Sequence, residues 1–271
     1  MGCLCSSAIC SSLPGIPCCG YTRRTPFPQY SYDRITEMIH QHNPKIRLRD
    51  MKIISSHNMG TYGISDSRCC SGISKTQTLG IREQLERGVR HLDLRYAASP
   101  TDKTGTKFNI YHGPHHGDDY IEVLYEVLNF LKKNQKEFVI LICKYEKKSG
   151  KDLSREAFYF VMDQIAELFR DHMIKMEDMT WFNPESVTLE EILDHKKNVL
   201  VMYDKRAITD LYDDEQMQMN TEALEKKGLF MNKKYIFNAY FRSSTKEELI
   251  EDQTKHIKEG VPKETLHNLE L

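Results

Sequence analysis

Val89-Arg-His-Leu-Asp93-Leu-Arg95 is an apolar, strand-like run that ends in an Asp-x-Arg pair. Two similar runs lie on either side of it, at 51–57 and 108–112, and each ends in a histidine, His57 and His112. A (β/α) barrel builds its active site from polar groups at the carboxyl ends of successive strands. The three runs therefore predict an α/β fold with a site at one mouth of a barrel.

Strand and helix patterns alternate along the rest of the chain. Further apolar strand-like runs lie at 138–146, 198–204 and 235–241, and helical patterns lie at 81–87, 118–131 and 154–169. Repeated β-then-α order with apolar strands indicates a parallel sheet covered by helices. About six strands are recognisable where a complete barrel has eight, and residues 266–271 could begin a seventh. We therefore expect a TIM-like (β/α) barrel over residues 31–271 that is irregular at its C-terminus, lacking the last strand or strands.

The composition limits the class of protein. Of the 271 residues, 39% are hydrophobic and 28% are charged, a balance that is typical of globular proteins. The formal net charge of −1 argues against a general nucleic-acid binder, which would show a strong basic bias. Since no apolar run approaches the ~20 residues that span a bilayer, we expect no transmembrane segment.

The first residues carry an acylation signal. Met1-Gly2-Cys3-Leu4-Cys5-Ser6 fits the N-myristoylation pattern, and one myristoyl chain needs a second anchor to hold a protein stably. Cys3 and Cys5 are placed to take a second acyl chain. Residues 1–30, rich in Pro, Ser and Gly, therefore predict a flexible leader that anchors the chain to the cytoplasmic face of a membrane. The alternative is a thiol-rich leader without lipid.

Cysteine placement indicates a reducing compartment. Of the eight cysteines, five lie within the first nineteen residues, namely Cys3, Cys5, Cys10, Cys18 and Cys19. This distribution is not that of a disulfide framework.

Three separated motifs resemble the X region of phosphatidylinositol-specific phospholipases C. They are Ser-Ser-His57-Asn58, Gln84-Leu-Glu-Arg-Gly88-Val-Arg-His-Leu-Asp93-Leu-Arg95 and His112-Gly113-Pro114, and they follow the family's order. The chain is most similar to the bacterial, trypanosomal (GPI-cleaving) and eukaryotic X-domain-only members. The resemblance implies a phosphodiesterase that acts on phosphatidylinositol or GPI lipids at a membrane surface, and we expect it to be a monomer.

The resemblance also implies a role for each catalytic residue. His57 would be the general base for the inositol 2-hydroxyl, and His112 the general acid for the departing diacylglycerol oxygen. Histidine suits both roles because its ordinary pKa of ~6.5 allows either protonation state near neutrality. Arg95 would hold the phosphate, and Asp93 would orient Arg95 or the attacking hydroxyl.

Other positions correspond to substrate contacts in the family. The expected substrate-binding residues are Asn58, Lys144, Glu146, Asp204 and Tyr240. Calcium-dependent members ligate the ion with acidic residues near Arg95, where a cation would repel it. The resemblance therefore implies a reaction without metal or cofactor that yields inositol 1,2-cyclic phosphate.

One feature leaves an alternative function open. The last strand of the family barrel carries an Asp that steadies the first histidine, and we expect this chain to end before it. A catalytically silent, lipid-binding membrane adaptor with a truncated barrel is therefore the second hypothesis.

His115 and His116 could belong to a metal cluster or to a loop of solvated histidines, and we expect the loop.

Overall fold

A computed structural model describes residues 32–51, 53–65, 71–146, 153–183, 186–204, 214–231, 236–240, 251 and 266–270. The compact unit Ser31–Leu271 contains all of them. The expected leader over residues 1–30, with Gly2, Cys3 and Cys5, lies outside the described residues. No helix in the described part of the chain is long and apolar enough to cross a membrane.

The main sheet has seven strands. They are β1 (Ile54–Ser56), β2 (Val89–Ala98), β3 (Phe108–His112), β4 (His115–Asp119), β5 (Val139–Tyr145), β6 (Val199–Tyr203) and β7 (Leu229–Met231). The order is β4-β3-β2-β5-β6-β7, and β1 pairs with the first half of β2. The pairs that join β1, β2, β5, β6 and β7 are all parallel, as expected of a (β/α) barrel.

Seven helices in the described part of the chain surround this sheet. They are α1 (Ile35–His42), α2 (Ser71–Ser74), α3 (Ile81–Glu86), α4 (Tyr120–Lys133), α5 (Arg155–Leu168), α6 (Leu189–Asp194) and α7 (Asp214–Lys226). Of these, α3, α4, α5 and α7 contribute residues to the apolar cluster on the outer face of the sheet, whereas α1 and α6 contribute to the cluster on its other face. Asp119 caps α4 by accepting hydrogen bonds from the amides of Ile121 and Glu122, and Ser154 caps α5. Thr188 and Glu191 form the capping box of α6. The starts of α4 and α5 confirm the helical patterns predicted at 118–131 and 154–169.

Alternation along the strands separates two apolar layers. Val139, Leu141 and Cys143 of β5 pack outward against the helices, in a cluster that includes residues of α3, α4 and α5. Ile140 and Ile142 point the other way and form a second cluster with residues of β6 and β7. Successive side chains of a strand face opposite sides of the sheet. The polar residues that follow Ile140 and Ile142 on the same face therefore lie above this second apolar cluster.

An antiparallel strand pair that was not predicted as such forms one edge of the main sheet. β3 pairs antiparallel with the end of β2, from Tyr96 to Ala98, and β4 pairs antiparallel with β3. Gly113, in the left-handed region at φ 59°, makes the turn between them. The expected loop of solvated histidines is therefore wrong, since His115 and His116 lie in β4 and are buried.

The C-terminal part confirms an irregular barrel. A second sheet pairs β8 (Ile236–Tyr240) in parallel with β9 (Leu266–Glu270), and β9 lies beside β1. In the described part of the chain, no ladder joins β7 to β8 or β9 to β1, so the barrel is not closed by hydrogen bonds there. Sequence patterns missed β4, because it contains no apolar residue, and β7, because it has only three residues. They also missed α7.

A buried ion pair holds α1 against the floor of the barrel. Arg90 and Glu137 lie 2.7 Å apart, with their side chains 3% and 1% exposed. Glu137 also accepts hydrogen bonds from the amides of Thr36 and Glu37 in the first turn of α1. Arg90 donates in addition to the carbonyls of Leu85, Val89, Tyr32 and Asp33. Both charges are thus compensated, as buried charges must be.

Glu137→Ala should lower the free energy of unfolding by about 3–5 kcal/mol, because it leaves Arg90 as an uncompensated buried charge. Chemical denaturation would measure the loss. The matched control is Lys136→Ala, which removes an exposed ion pair with Glu37 and should cost about 1 kcal/mol or less. Equal losses in the two variants would contradict the structural role given to Glu137.

Candidate active site

Asp93 lies at the centre of the barrel mouth with no exposed surface. Its Oδ1 is 3.2 Å from Nζ of Lys144 on β5, and its Oδ2 is 3.2 Å from a guanidinium nitrogen of Arg95. The same Oδ2 is 3.3 Å from Nδ1 of His57, which follows β1. One carboxylate therefore joins side chains from three neighbouring strands.

The register of the sheet brings these residues together. Asp93 is paired with Ile142 and Arg95 with Lys144, so the two polar residues of β2 stand level with the end of β5. The sequence predicts that Asp93 and Arg95 end their strand. In the structure they do not, because β2 continues to Ala98. That extension carries β3 and β4.

A hydrogen-bond donor and the surrounding cations keep Asp93 ionised. Burial by itself would raise the pKa of this carboxyl, but His57, Lys144 and Arg95 outweigh burial and hold the pKa well below its usual range. Burial would likewise lower the pKa of Arg95, yet Asp93 and Glu146 raise it above its ordinary value. The site is thus a pre-formed set of fixed charges.

His57 has a carboxylate partner within the described structure. The 3.3 Å distance between His57 Nδ1 and Asp93 Oδ2 lets Nδ1 carry a hydrogen toward the carboxylate, which leaves Nε2 as the basic nitrogen. The resemblance places the orienting Asp in the family's last strand. In this chain Asp93, on β2, is close enough to orient the ring.

His112 reaches the same mouth by a different route. It ends β3, which runs antiparallel to β2 and so returns from above toward the barrel interior. Its Nδ1 lies 2.8 Å from the carbonyl oxygen of Ser74, which can only accept, so Nδ1 carries the hydrogen. The rings of His57 and His112 lie edge to face, with centroids 6.5 Å apart.

Arg95 is held between two carboxylates. It donates to Glu146 Oε1 at 2.6 Å and to Asp93 Oδ2 at 3.2–3.3 Å. Its side chain remains 19% exposed, whereas that of Lys144 is 7% exposed. Arg95 is therefore the cation of this group with the greater access to a ligand.

The remaining predicted residues have different positions. Asn58 is buried, and its backbone is left-handed at φ 50°. Its backbone amide nitrogen lies 3.5 Å from Asp93 Oδ2. Asp204 is buried just beyond β6. Tyr240 ends β8, where only the backbone is described. The structure thus brings His57, Asp93, Arg95, His112, Lys144 and Glu146 together.

Sequence reasoning missed the residues that support the two histidines. Ser74 and Gln77 both lie in the segment between β1 and α3, and each makes a hydrogen bond to a histidine backbone or ring. Their only signal in the sequence is a polar composition, which is also that of a solvated loop. Among the described residues, no group of three or more His, Cys, Asp or Glu side chains is arranged to hold a metal ion.

Sequence comparisons find two curated relatives. A 1-phosphatidylinositol phosphodiesterase of Listeria monocytogenes is 31% identical over 101 residues, which cover 37% of this chain and 28% of that protein. The PI-PLC X domain-containing protein 1 of Mus musculus is 28% identical over 140 residues, covering 52% and 37%. Over these segments the chain is similar in sequence to phosphatidylinositol-specific phospholipase C X-domain proteins. The matches span less than two fifths of either relative, and no protein-family model matches the chain.

Solved structures of phosphatidylinositol-specific phospholipases C share the fold of this chain. Phosphatidylinositol-specific phospholipase C from Listeria monocytogenes superposes with a TM-score of 0.61 at 19% identity, over 88% of this chain and 78% of that one. A variant of the Staphylococcus aureus enzyme gives 0.58 at 14% identity, over 89% and 79%. The TIM-like architecture predicted from the strand pattern is thereby confirmed.

Asp93→Asn should change how stability depends on pH. Because the pKa of Asp93 is lowered by folding, the ionised carboxylate stabilises the protein above its unfolded-state pKa of ~3.9, and this contribution is lost as the pH falls further. The variant should be about 3 kcal/mol less stable at pH 7, and the difference should narrow below pH ~4. Urea denaturation from pH 7 to 3 measures both curves, and parallel curves would contradict the expectation.

Proposed function

We propose that this protein is a phosphodiesterase that cleaves phosphatidylinositol or GPI lipids into diacylglycerol and an inositol cyclic phosphate. The observation that carries the proposal is the meeting of His57, Arg95 and His112 at one barrel mouth, with Asp93 between His57 and Arg95. Two imidazoles 6.5 Å apart can serve the entering and the leaving oxygen of one phosphorus. The relatives named for this activity support the proposal.

The two histidines divide the proton transfers. Nε2 of His57, whose Nδ1 faces Asp93, takes the proton of the inositol 2-hydroxyl as its oxygen bonds to phosphorus. The bond between phosphorus and the diacylglycerol oxygen breaks, and Nε2 of His112 protonates that oxygen. The products are inositol 1,2-cyclic phosphate and diacylglycerol, and the proton count is balanced.

Arg95 stabilises the charge on the phosphate. Its guanidinium is fixed by Asp93 and Glu146 before substrate arrives, so little reorganisation is needed when charge builds on the phosphate oxygens. Lys144 and Asp93 form the ion pair beneath it. Asn58, Lys144, Glu146, Asp204 and Tyr240 are proposed to bind the inositol ring.

The same charges favour a reaction without a metal ion. Both carboxylate oxygens of Asp93 already face cations, Lys144 at Oδ1 and Arg95 at Oδ2. A calcium ion needs six to eight oxygen ligands and would be repelled by these neighbours. We therefore propose that Arg95 does the work of charge neutralisation.

Residues 1–30 would place the site at its lipid. Acylation of Gly2, Cys3 and Cys5 would supply the two chains that stable anchoring requires. The protein would then act as a monomer on the cytoplasmic face of a membrane.

His57→Ala and His112→Ala should each lower diacylglycerol release from phosphatidylinositol vesicles by about 10²–10⁴-fold, since each removes one proton-transfer group. Arg95→Lys should lower it by about 10²-fold, because it loses the planar fork that holds the phosphate. Arg82→Ala removes an exposed arginine on α3 and should leave the rate unchanged.

The assay is run with EGTA present. Equal, near-zero release by the wild type and all variants would overturn the proposed activity and favour the catalytically silent, lipid-binding adaptor. Activity that requires added calcium would instead overturn the role proposed for Arg95.

Gly2→Ala should shift the protein from the membrane pellet to the supernatant of lysed cells, because it removes the site of myristoylation. The double variant Cys3→Ser with Cys5→Ser should also weaken membrane association. Cys18→Ser changes a leader thiol outside the motif and serves as the control. An unchanged membrane fraction for Gly2→Ala would contradict the anchoring proposal.

A further inference from the structure

The segment from Ser74 to Gln77 contacts the surroundings of both histidines. At one end, the carbonyl of Ser74 accepts a hydrogen bond from His112 Nδ1 at 2.8 Å. At the other end, the side-chain amide of Gln77 donates to the carbonyl oxygen of His57 at 2.8 Å. Four consecutive residues therefore span the distance between the proposed acid and the proposed base.

Ser74 contacts the proposed general acid, His112, and its neighbour on the hairpin. Its hydroxyl lies 2.8 Å from Nδ1 of His115, which is paired with His112 across the β3–β4 hairpin. Ser74 and His115 are 2% and 7% exposed, so this contact is shielded from competing water. The hydroxyl contact thus locates the carbonyl that orients the His112 ring.

Gln77 and its neighbours contact the turn that contains the proposed general base, His57. The hydroxyl of Thr61, just after His57, accepts hydrogen bonds from the backbone amides of Thr76 and Gln77. Thr76 also contacts the Thr61 hydroxyl through its own side chain at 2.9 Å. The turn that presents His57 is therefore bound to the segment by backbone and side-chain contacts.

The sheet does not by itself set the distance between the histidines. β1 pairs with β2 only up to Leu92, and β3 pairs with β2 only from Tyr96 onward. His57 follows the end of β1, and His112 is paired with His115 rather than with β2. A connection outside the ladders has to fix their separation, and residues 74–77 supply one.

We propose that Ser74 and Gln77 are positioning residues that set the proposed acid and base in register with each other. The inference rests on the proposed function and deepens it. Ser74 acts through His112, and Gln77 acts through His57. A misplacement of about 1 Å in such a site can cost ~10²-fold in rate, so neither residue needs to touch the substrate to affect turnover.

Two substrates separate the two positioning roles. Phosphatidylinositol releases an alkoxide and needs a proton from the general acid, whereas the p-nitrophenyl ester of inositol 1-phosphate releases a stable phenolate and does not. Both substrates need the general base. The variants are Ser74→Ala, which removes the hydroxyl, and Gln77→Met, which removes the donor at similar side-chain length.

Ser74→Ala should slow cleavage of the lipid by about 10-fold or more beyond its effect on the p-nitrophenyl ester. Gln77→Met should slow both substrates by a similar factor. His115→Asn keeps a polar atom near the place of Nδ1 and should retain the wild-type ratio of the two rates, whereas His115→Leu should behave like Ser74→Ala.

The control is Thr188→Ala, which removes a capping hydroxyl from α6 and should leave the ratio of the two rates unchanged. Thermal unfolding of every variant separates a loss of folded protein from a change in that ratio. Equal slowing of both substrates by Ser74→Ala, or no slowing, would overturn its assignment. No slowing by Gln77→Met would overturn that of Gln77. A wild type inactive on both substrates would overturn the proposed function and this inference with it.

Discussion

The buried carboxylate of Asp93 is the interaction on which the mouth of this barrel depends. A lone carboxylate without exposed surface would cost several kcal/mol to desolvate. His57, Arg95 and Lys144 compensate that charge from β1, β2 and β5, and in doing so they take fixed positions around it. Removing the carboxylate would leave the cations of Arg95 and Lys144 facing each other, so the arrangement of both, and that of the His57 ring, depends on one side chain.

The antiparallel hairpin of β3 and β4 is the second constraint. In a regular barrel, a strand that runs upward ends at the mouth, but β3 reaches the mouth because it runs downward from the extended end of β2. His112 thereby faces His57 across the opening. The placement needs Gly113 in a left-handed turn, Ser74 against His112 and His115, and ten residues in β2.

Much of the fold could be predicted because its signals are local. Capping residues such as Asp119 and Thr188, and the apolar runs of β5 and β6, appear directly in the sequence. The strand β4 could not be predicted, since His-His-Gly-Asp-Asp has no apolar alternation and pairs only because β3 lies beside it. For the site, residue types and spacing pointed to the correct neighbours, whereas the role of the segment 74–77 depends on contacts 15 to 41 residues apart in the chain.

The sequence by itself determined the alternation of strands and helices, the acylation signal at Gly2 and the identity of the charged residues that meet at the mouth. These properties reside in residue type and short-range spacing, which survive without any tertiary contact. Only the tertiary structure decided that Asp93 is the partner of His57, that His112 arrives on an antiparallel strand, and that Ser74 and Gln77 join the two histidines. Those outcomes depend on strand register and on burial, which arise only once distant segments pack together.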